Sequence, residues 1–246
     1  MLRKRIKQFN EKASWLKKGV IYHRGKHGSG VMENTIEAFN LACEEGLGIE
    51  LDIRLTSDNK IIVFHDDNLK RLYNIDKKVA NCTYRELCEY SEGTIPLFTD
   101  VLNLINDRVG LMVEIKSVKF SKLEIICNVL KNYRGRYVIV SFNPGILRYF
   151  KKNDPSIIRG QLSCSFKNSN YNLVSKFVLS RMLFNFVSKP HFISYGIESC
   201  DCELLAKYKK KGYFIIGWTY NNEKNKLKLK RVYDNMIIED LNIREF

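Results

Sequence analysis

The chain has 246 residues, a length that suits one large domain or two small ones. Its 45% hydrophobic and 28% charged residues are typical of a globular protein and exclude a largely disordered chain. The net charge of +14 predicts affinity for anions such as phosphate esters, anionic lipid or nucleic acid. Seven cysteines, an odd number without a Cys-x-x-Cys pair, predict buried thiols in a reducing, cytoplasmic compartment and exclude a disulfide framework or zinc site.

Residues 1–19 carry the pattern of a basic amphipathic helix. Apolar residues recur at steps of four and three, and basic residues lie mostly on the other faces. This pattern predicts either a helix packed on the end of the domain or a helix resting on an anionic membrane at its inner face. The segment lacks the apolar region of a secretory signal. The apolar positions are Leu2, Ile6, Phe9, Ala13 and Leu16.

After Gly19, short β-branched runs alternate with helical patterns, which is typical of a parallel sheet. Eight such runs in this length favour a (β/α)8 TIM barrel over an open sheet, and residues 20–246 are interpreted as one barrel domain. The predicted strands are Val20–Arg24, Gly48–Ile53, Leu111–Lys116, Tyr137–Ser141, Ile157–Leu162, Phe192–Tyr195, Tyr213–Thr219 and Met236–Glu239. The predicted helices are Thr35–Glu45, Pro96–Asn106, Lys122–Lys131, Gly145–Lys152, Leu173–Phe186, Glu203–Lys211 and a weaker one near Lys224–Tyr233.

The run from Lys60 to His65 does not fit this alternation. It follows the extended run Gly48–Thr56 after only three residues, and a turn that short permits only an antiparallel return. Folding the chain at Asp58–Asn59 places Asp52 opposite His65, to within one residue. The second strand is therefore expected to extend into a hairpin, followed by an excursion over residues 66–94.

Three carboxylates lie on predicted strands. Glu50 and Asp52 are two residues apart and point to the same side, while the apolar residues between them face the helices. Glu114 and Lys116 repeat this arrangement. Three carboxylates in an apolar enclosure need a cation, because Lys116 alone cannot balance them. Oxygen ligands favour Mg²⁺ or Ca²⁺. The alternative is a structural salt-bridge network inside the barrel.

Two histidines end predicted strands at the mouth where the carboxylates lie. His23 is followed by Arg24, whose planar guanidinium is suited to a phosphate, and His65 ends the hairpin. Histidine can act as acid or base near pH 7, which indicates acid/base catalysis. His27 and His191 are not accompanied by such carboxylates and cations in the sequence. His27 is interpreted as a loop residue and His191 as the start of a strand.

Seven short motifs, in their order along the chain, resemble the glycerophosphodiester phosphodiesterase family. The similarity runs from about Tyr22 to Asp240, so it covers nearly the whole chain. The motifs are His23-Arg24-Gly25, Glu33-Asn34-Thr35, Glu50-Leu-Asp52, Val63-Phe-His65-Asp66, Glu114-Ile-Lys116, Ser141-Phe142 and Trp218-Thr219-Tyr-Asn221.

The resemblance implies a barrel enzyme with one divalent metal ion and a pair of acid/base histidines. It also implies a tryptophan at the barrel mouth, on the glycerol side of the substrate, for which core filling is the alternative. The implied metal ligands are Glu50, Asp52 and Glu114, the catalytic pair is His23 and His65, and the implied substrate contacts are Arg24, Lys116 and Trp218.

The chain departs from the family pattern at two places. Met32 stands where proline is usual before Glu-Asn-Thr, and the closing strand reads Met-Ile-Ile-Glu-Asp-Leu where the family tends towards Thr-Asp-x-Pro. These departures concern loop shape and substrate fit. Asn34 is predicted to cap the following helix, with Glu37 reaching back, and is therefore not assigned to the site.

The activity implied by the resemblance is hydrolysis of a glycerophosphodiester to sn-glycerol 3-phosphate and an alcohol. One alternative is a lysophospholipase D. The amphipathic N-terminus and the apolar Phe177–Phe186 helix are compatible with this activity. Another is a catalytically inactive barrel that binds anionic lipid or protein. The basic clusters Lys207–Lys211 and Lys224–Arg231 are interpreted as solvated helix faces, so no nucleic-acid partner is expected.

Overall fold

The computed structural model describes residues 2–221 and 229–239. The chain divides into two compact units, one formed by Tyr22–Arg136 and the other by Met1–Ile21 together with Tyr137–Phe246. Both units alternate strands with helices, as the sequence predicts. The helix predicted near Lys224–Tyr233 and the end of the closing segment fall largely outside the described residues.

The unit Tyr22–Arg136 contains a parallel strand pair that carries the predicted carboxylates. Strand β2 (Gly48–Leu55) pairs in parallel with β4 (Leu111–Ile115), and this register sets Asp52 directly opposite Glu114. Strand β1 (Ile21–His23) also pairs with β2, and the division between the units falls within β1. The interior residues of β2 and β4 are almost all buried, which fits strands covered on both faces.

The hairpin predicted after the second strand is confirmed. Strand β3 (Ile61–Val63) runs antiparallel to β2, and the Thr56 amide donates to the Lys60 carbonyl at 3.0 Å across the turn. The Phe64 amide donates to the Asp52 carbonyl at 2.9 Å, so Asp52 lies opposite Phe64, one residue from the predicted partner His65. The register is therefore correct to within the predicted single residue.

The excursion after the hairpin has a small hydrophobic core of its own. It contains α3 (Lys70–Tyr73), a 3-10 turn at Val79–Asn81 and α4 (Tyr84–Ser91), which begins with a capping box formed by Thr83 and Glu86. Helices α2 (Ile36–Glu44), α5 (Phe98–Ile105) and α6 (Leu123–Asn132) complete the described helices of this unit. The small core consists of Ile62, Phe64, Leu69, Val79, Cys82, Leu87 and Ile95.

The described part of the other unit, from Tyr137 onward, contains five strands in sequential order, each parallel to the next. This order is the one expected of successive strand–helix units. The strands are β5 (Tyr137–Ser141), β6 (Arg159–Ser163), β7 (Phe192–Gly196), β8 (Phe214–Tyr220) and β9 (Asn235–Ile238). The helices after α1 are α7 (Pro144–Asn153), α8 (Leu173–Ser180), α9 (Asn185–Ser188) and α10 (Cys202–Lys210).

One predicted helix is wrong in its extent. The apolar stretch Leu173–Phe186 forms two helices, α8 and α9, with a break between them. At the break Met182 has a left-handed φ of 54° and is buried. The chain therefore turns at Met182 and buries its side chain.

The N-terminal helix α1 (Leu2–Lys12) packs against its own unit. Phe9 is buried, with its ring centroid 5.7 Å from that of Phe192 and 5.3 Å from that of Phe214. The Gln8 side chain donates to the Pro155 carbonyl at 3.0 Å. Of the two predicted alternatives, the structure therefore shows the packed helix, whose apolar face is largely occupied by the protein.

None of the seven cysteines forms a disulfide, and the prediction of buried thiols is correct for Cys43, Cys82 and Cys127. Among the helices within residues 2–221 and 229–239, none combines the length and the hydropathy that crossing a bilayer requires.

Candidate active site

The three predicted metal ligands converge in the unit Tyr22–Arg136. Glu50 and Asp52 project from the same face of β2, and the parallel register brings Glu114 on β4 beside Asp52. Their exposed fractions are 4%, 1% and 8%. One carboxylate oxygen from each lies within 4.8 Å of the others. This oxygen-only set fits a hard divalent cation.

Two cationic side chains, rather than one, face these carboxylates. Lys116 Nζ lies 2.8 Å from Asp52 Oδ1 and 2.7 Å from Glu114 Oε1, and Arg24 Nε lies 3.3 Å from Asp52 Oδ2. The expectation that Lys116 stands alone was therefore incomplete. Two positive charges still do not balance three buried carboxylates, so the site retains an excess negative charge that a cation would neutralise.

Glu50 is the carboxylate that lacks a lysine or arginine side-chain partner among the described residues. Its nearest polar neighbours are the backbone N–H of Arg24, at 3.3 Å, and His23 Nε2, at 4.0 Å. Burial, Asp52 and Glu114 raise the pKa of Glu50 well above its ordinary value. Burial alone would also raise the pKa of Asp52, but Lys116, His65 and Arg24 hold it far below the usual range. Glu50 is therefore the carboxylate of the cluster that most readily takes up a proton when no cation is bound.

His65 follows the hairpin and is held at both its ring and its backbone. Its Nδ1 lies 2.6 Å from Asp66 Oδ1, and Arg54 donates to its carbonyl oxygen from Nε at 2.9 Å and Nη2 at 2.6 Å. Burial lowers the pKa of His65 to about 4, although Asp52 and Asp66 act in the opposite direction. With Asp66 accepting from Nδ1–H, Nε2 carries the lone pair and can accept a proton.

His23 ends β1 beside the carboxylate cluster, as predicted. His27 was interpreted as an isolated loop residue, but its ring lies close to that of His23, with ligand nitrogens within 4.8 Å. The turn between them depends on Gly25, with φ +81°, where an added Cβ would lie 2.9 Å from Ala38. His191 lies at the start of β7, as expected, where its Nδ1 accepts from the Arg159 amide at 3.1 Å.

An ion-pair network around Glu33 was missed by the sequence analysis, although Glu33 lies in one of the recognised motifs. Glu33 Oε1 accepts from Arg24 Nη1 at 2.7 Å and from Arg71 Nη2 at 2.6 Å. Burial alone would raise the pKa of Glu33, but the two guanidinium groups lower it to about 2. Arg71 also pairs with Asp66, at 2.6 Å. The network therefore connects Arg24 to the acidic partner of His65.

Asn34 does not cap helix α2, which corrects the sequence interpretation. Thr35 is the capping residue, since its side chain accepts from the Ala38 amide at 3.3 Å. Asn34 is buried with φ 58° and donates from Nδ2 to Asp52 Oδ2 at 3.0 Å. Its Oδ1 is buried and has no hydrogen-bond partner in the part of the chain that the structure describes. Asn34 thus belongs to the site.

Trp218 lies in the other unit and lines a cavity of about 590 Å³. Its ring packs edge-on against Phe142, with centroids 5.6 Å apart and planes at 86°. Its Nε1 is buried without a hydrogen-bond partner among the described residues, although Ser199 and Asn221 also line the cavity. Trp218 is therefore a lining residue, with an unused donor, rather than mere core filling.

A sequence profile of the Glycerophosphoryl diester phosphodiesterase family matches residues 23–241. A glycerophosphodiester phosphodiesterase of Caldanaerobacter subterraneus subsp. tengcongensis is 31% identical over 240 residues, covering 90% of this chain and 93% of that protein. A human lysophospholipase D is 37% identical over 244 residues, covering 82% and 75%.

A solved phosphodiesterase of Oleispira antarctica, in complex with the product sn-glycerol-3-phosphate, is 24% identical. It has a TM-score of 0.77 and covers 93% of this chain and 95% of its own. This likeness confirms the predicted (β/α)8 barrel fold. Since the family profile spans nearly the whole chain and the predicted enzyme class agrees with it, the chain belongs to the glycerophosphoryl diester phosphodiesterase family.

Proposed function

We propose that this protein hydrolyses glycerophosphodiesters to sn-glycerol 3-phosphate and an alcohol. The observation that carries the proposal is the cluster of Glu50, Asp52 and Glu114, buried together with His23 and His65 beside it. A buried anionic cluster fits a metal ion, and two histidines beside it supply the acid and the base that hydrolysis needs. The relatives named above carry this activity or a closely related one.

Glu50, Asp52 and Glu114 would hold one divalent cation, which we propose to be Mg²⁺ or Ca²⁺ because every ligand is a carboxylate oxygen. When bound, such a cation supplies Lewis-acid polarisation of a phosphoryl oxygen. Burial and the neighbouring carboxylates raise the pKa of Glu50, so a cation held there would compete with a proton for this carboxyl group.

His65 is proposed as the general base. Asp66 holds its Nδ1 and leaves Nε2 to accept the proton of the attacking oxygen, which belongs either to water or to the glycerol 2-hydroxyl; the second case gives a cyclic phosphate that a water then opens. His23, 4.0 Å from Glu50, would give a proton to the oxygen of the departing alcohol as the phosphorus–oxygen bond breaks. The proton taken up by one histidine and the proton given by the other balance over the cycle.

Arg24 and Lys116 are proposed to contact the phosphate. Both are already oriented by carboxylates, Arg24 by Glu33 and Asp52, and Lys116 by Asp52 and Glu114. Such oriented cations stabilise the charge that develops on the phosphoryl oxygens. We further propose that Trp218 contacts the glycerol side, where its unpartnered Nε1 can donate to a hydroxyl.

A product assay tests the proposal. Glycerophosphocholine and glycerophosphoethanolamine should yield sn-glycerol 3-phosphate with a divalent metal, and activity should fall to background with a chelator. Release of the alcohol as its phosphate ester, or metal-independent turnover of equal rate, would contradict the proposed cleavage. His23→Ala protein is the matched control for contaminating hydrolases.

A lysophospholipase D is the second candidate. The observation that favours it is a set of exposed apolar side chains on the unit that contains the Trp218 cavity. The same assay with lysophosphatidylcholine decides between the two activities, by comparing its kcat/KM with that of glycerophosphocholine. We also propose a cytoplasmic location at the inner face of an anionic membrane.

A further inference from the structure

Helices α8 and α9 and the turn between them carry most of the large apolar side chains that the described part of the chain exposes. Leu173 is 84% exposed, Phe177 58% and Phe186 72%. Leu173, Val174 and Phe177 are spaced by three and four residues and so share one face of α8. Exposed apolar side chains grouped in this way are typical of an interaction surface. Residues 173–186 are called the apolar segment below.

Along the sequence, the charged residues flanking the apolar segment are basic. Residues 155–197 contain no aspartate or glutamate but include four basic residues outside the core, Lys167, Lys176, Arg181 and Lys189. Arg181 pairs with Asp201 at 3.2 Å, outside this range. Apolar side chains framed by basic ones complement a surface of anionic headgroups over hydrocarbon.

Contacts with the rest of its unit hold the apolar segment in place, with its exposed side chains facing outward. Met182 is buried, and Ser163 Oγ of β6 donates to the Leu179 carbonyl at 2.8 Å. Lys151 Nζ of α7 donates to the Val187 carbonyl at 2.6 Å. The exposed rings Phe184 and Phe186 stay on the outside, with centroids 6.5 Å apart.

A row of aromatic rings leads from the Trp218 cavity to the edge of the apolar segment. Trp218 contacts Phe142 with centroids at 5.6 Å, Phe142 contacts Phe166 at 5.8 Å, and Phe166 contacts Tyr171 at 5.9 Å. Tyr171 is exposed and lies two residues before α8. A row of aromatic contacts therefore runs from the cavity to Tyr171, two residues before the apolar segment.

We propose that the apolar segment is a docking surface for an anionic lipid bilayer, with Leu173, Phe177 and Phe186 inserted at the headgroup boundary. Helix α1, the other amphipathic element, is a poorer membrane contact because its apolar face packs on Phe192 and Phe214. Docking through α8 and α9 places the aromatic row, and with it the cavity, next to the bilayer. Binding is reversible and salt-sensitive, since the apolar area is small and the basic residues act through the surface potential.

Vesicle sedimentation of the full chain tests the proposal. The protein should sediment with vesicles of phosphatidylcholine and phosphatidylglycerol at low salt and release at high salt, and it should not sediment with phosphatidylcholine alone. Phe177→Ser/Phe186→Ser protein should bind at least tenfold more weakly. Phe120→Ser is the matched control, because Phe120 is 54% exposed but lies in the other unit, and its binding should be unchanged.

Four outcomes would overturn the proposal. The full chain could fail to sediment at low salt, the double serine variant could bind as well as the original chain, or Phe120→Ser could weaken binding equally. The fourth is a dimer of the original chain that sedimentation equilibrium detects without lipid and that the double serine variant does not form. The apolar segment would then bind a second copy of the chain rather than a bilayer. Hydrolysis of soluble glycerophosphocholine should be the same in all variants, which separates failure of docking from failure of the proposed reaction.

Discussion

The Asn34 side chain donates from Nδ2 to Asp52 Oδ2 at 3.0 Å, and both residues are buried. The bond leaves Asp52 Oδ1 facing Lys116. Asn34 can reach Asp52 because its backbone takes a left-handed conformation directly before helix α2. Asn34 therefore orients a proposed metal ligand, an outer-shell role that usually affects metal affinity as well as turnover.

Replacing Asn34 with Gly should lower metal affinity by about 10–100-fold with little loss of stability. Glycine keeps the positive φ without strain and removes only the amide. Calorimetric titration of the metal, with a thermal melt beside it, checks both parts. Asn40→Ala, on helix α2, is the control and should leave affinity unchanged. Unaltered metal affinity in Asn34→Gly would show that the amide does not support the site.

Metal binding should release a proton, and metal affinity should fall as the pH falls. The pKa of Glu50 is raised by burial and by its carboxylate neighbours, so the carboxyl must lose its proton when the cation binds. Titrations in two buffers with different ionisation enthalpies measure the released protons. Glu50→Gln should weaken metal binding and abolish the proton release. Glu114→Gln should have the same two effects to a smaller extent. Binding without proton release at every pH would contradict the proposed ligand set.

The sequence could predict the strands and the meeting of the three carboxylates because these depend on alternation and on parallel strand order. The hairpin register came out correctly, to one residue, because a three-residue turn permits few pairings. The sequence could not place Asn34 or Arg71 in the site. Asn34 is a single left-handed residue, and Arg71 lies on a four-residue helix, so neither carries a periodic signal. The α8–α9 break was missed because apolar periodicity does not distinguish a buried Met182 from exposed neighbours.

Loss of either proposed catalytic histidine should cost at least about 10² in kcat. The double variant His23→Ala/His65→Ala should cost less than the product of the two, because both groups serve one reaction. Asp66→Asn should lower kcat less than His65→Ala does, since it disturbs the orientation of the His65 ring and the pair with Arg71 but leaves the imidazole in place. His27→Ala is the test of the assignment, because His27 lies near His23. An equal loss in His27→Ala would mean that the wrong histidine has been chosen.

The ion pairs of Glu33 should stabilise the protein in a pH-dependent way. The pKa of Glu33 falls from 4.5 to about 2 in the folded protein, so the stabilisation is complete above about pH 5 and is lost as the pH falls towards 2. Because Arg71 is 45% exposed, we expect only about 1–2 kcal/mol, after allowing for solvent screening.

The Glu33 prediction is checked by urea unfolding of the original chain and Glu33→Gln between pH 3.5 and 7. Their difference in the free energy of unfolding should be constant from pH 5.5 to 7 and should shrink below pH 4.5. Glu89→Gln is the control, because its pair with Arg85 is largely exposed and should contribute under about 0.5 kcal/mol. A difference that does not change with pH would mean that Glu33 contributes through packing rather than through charge.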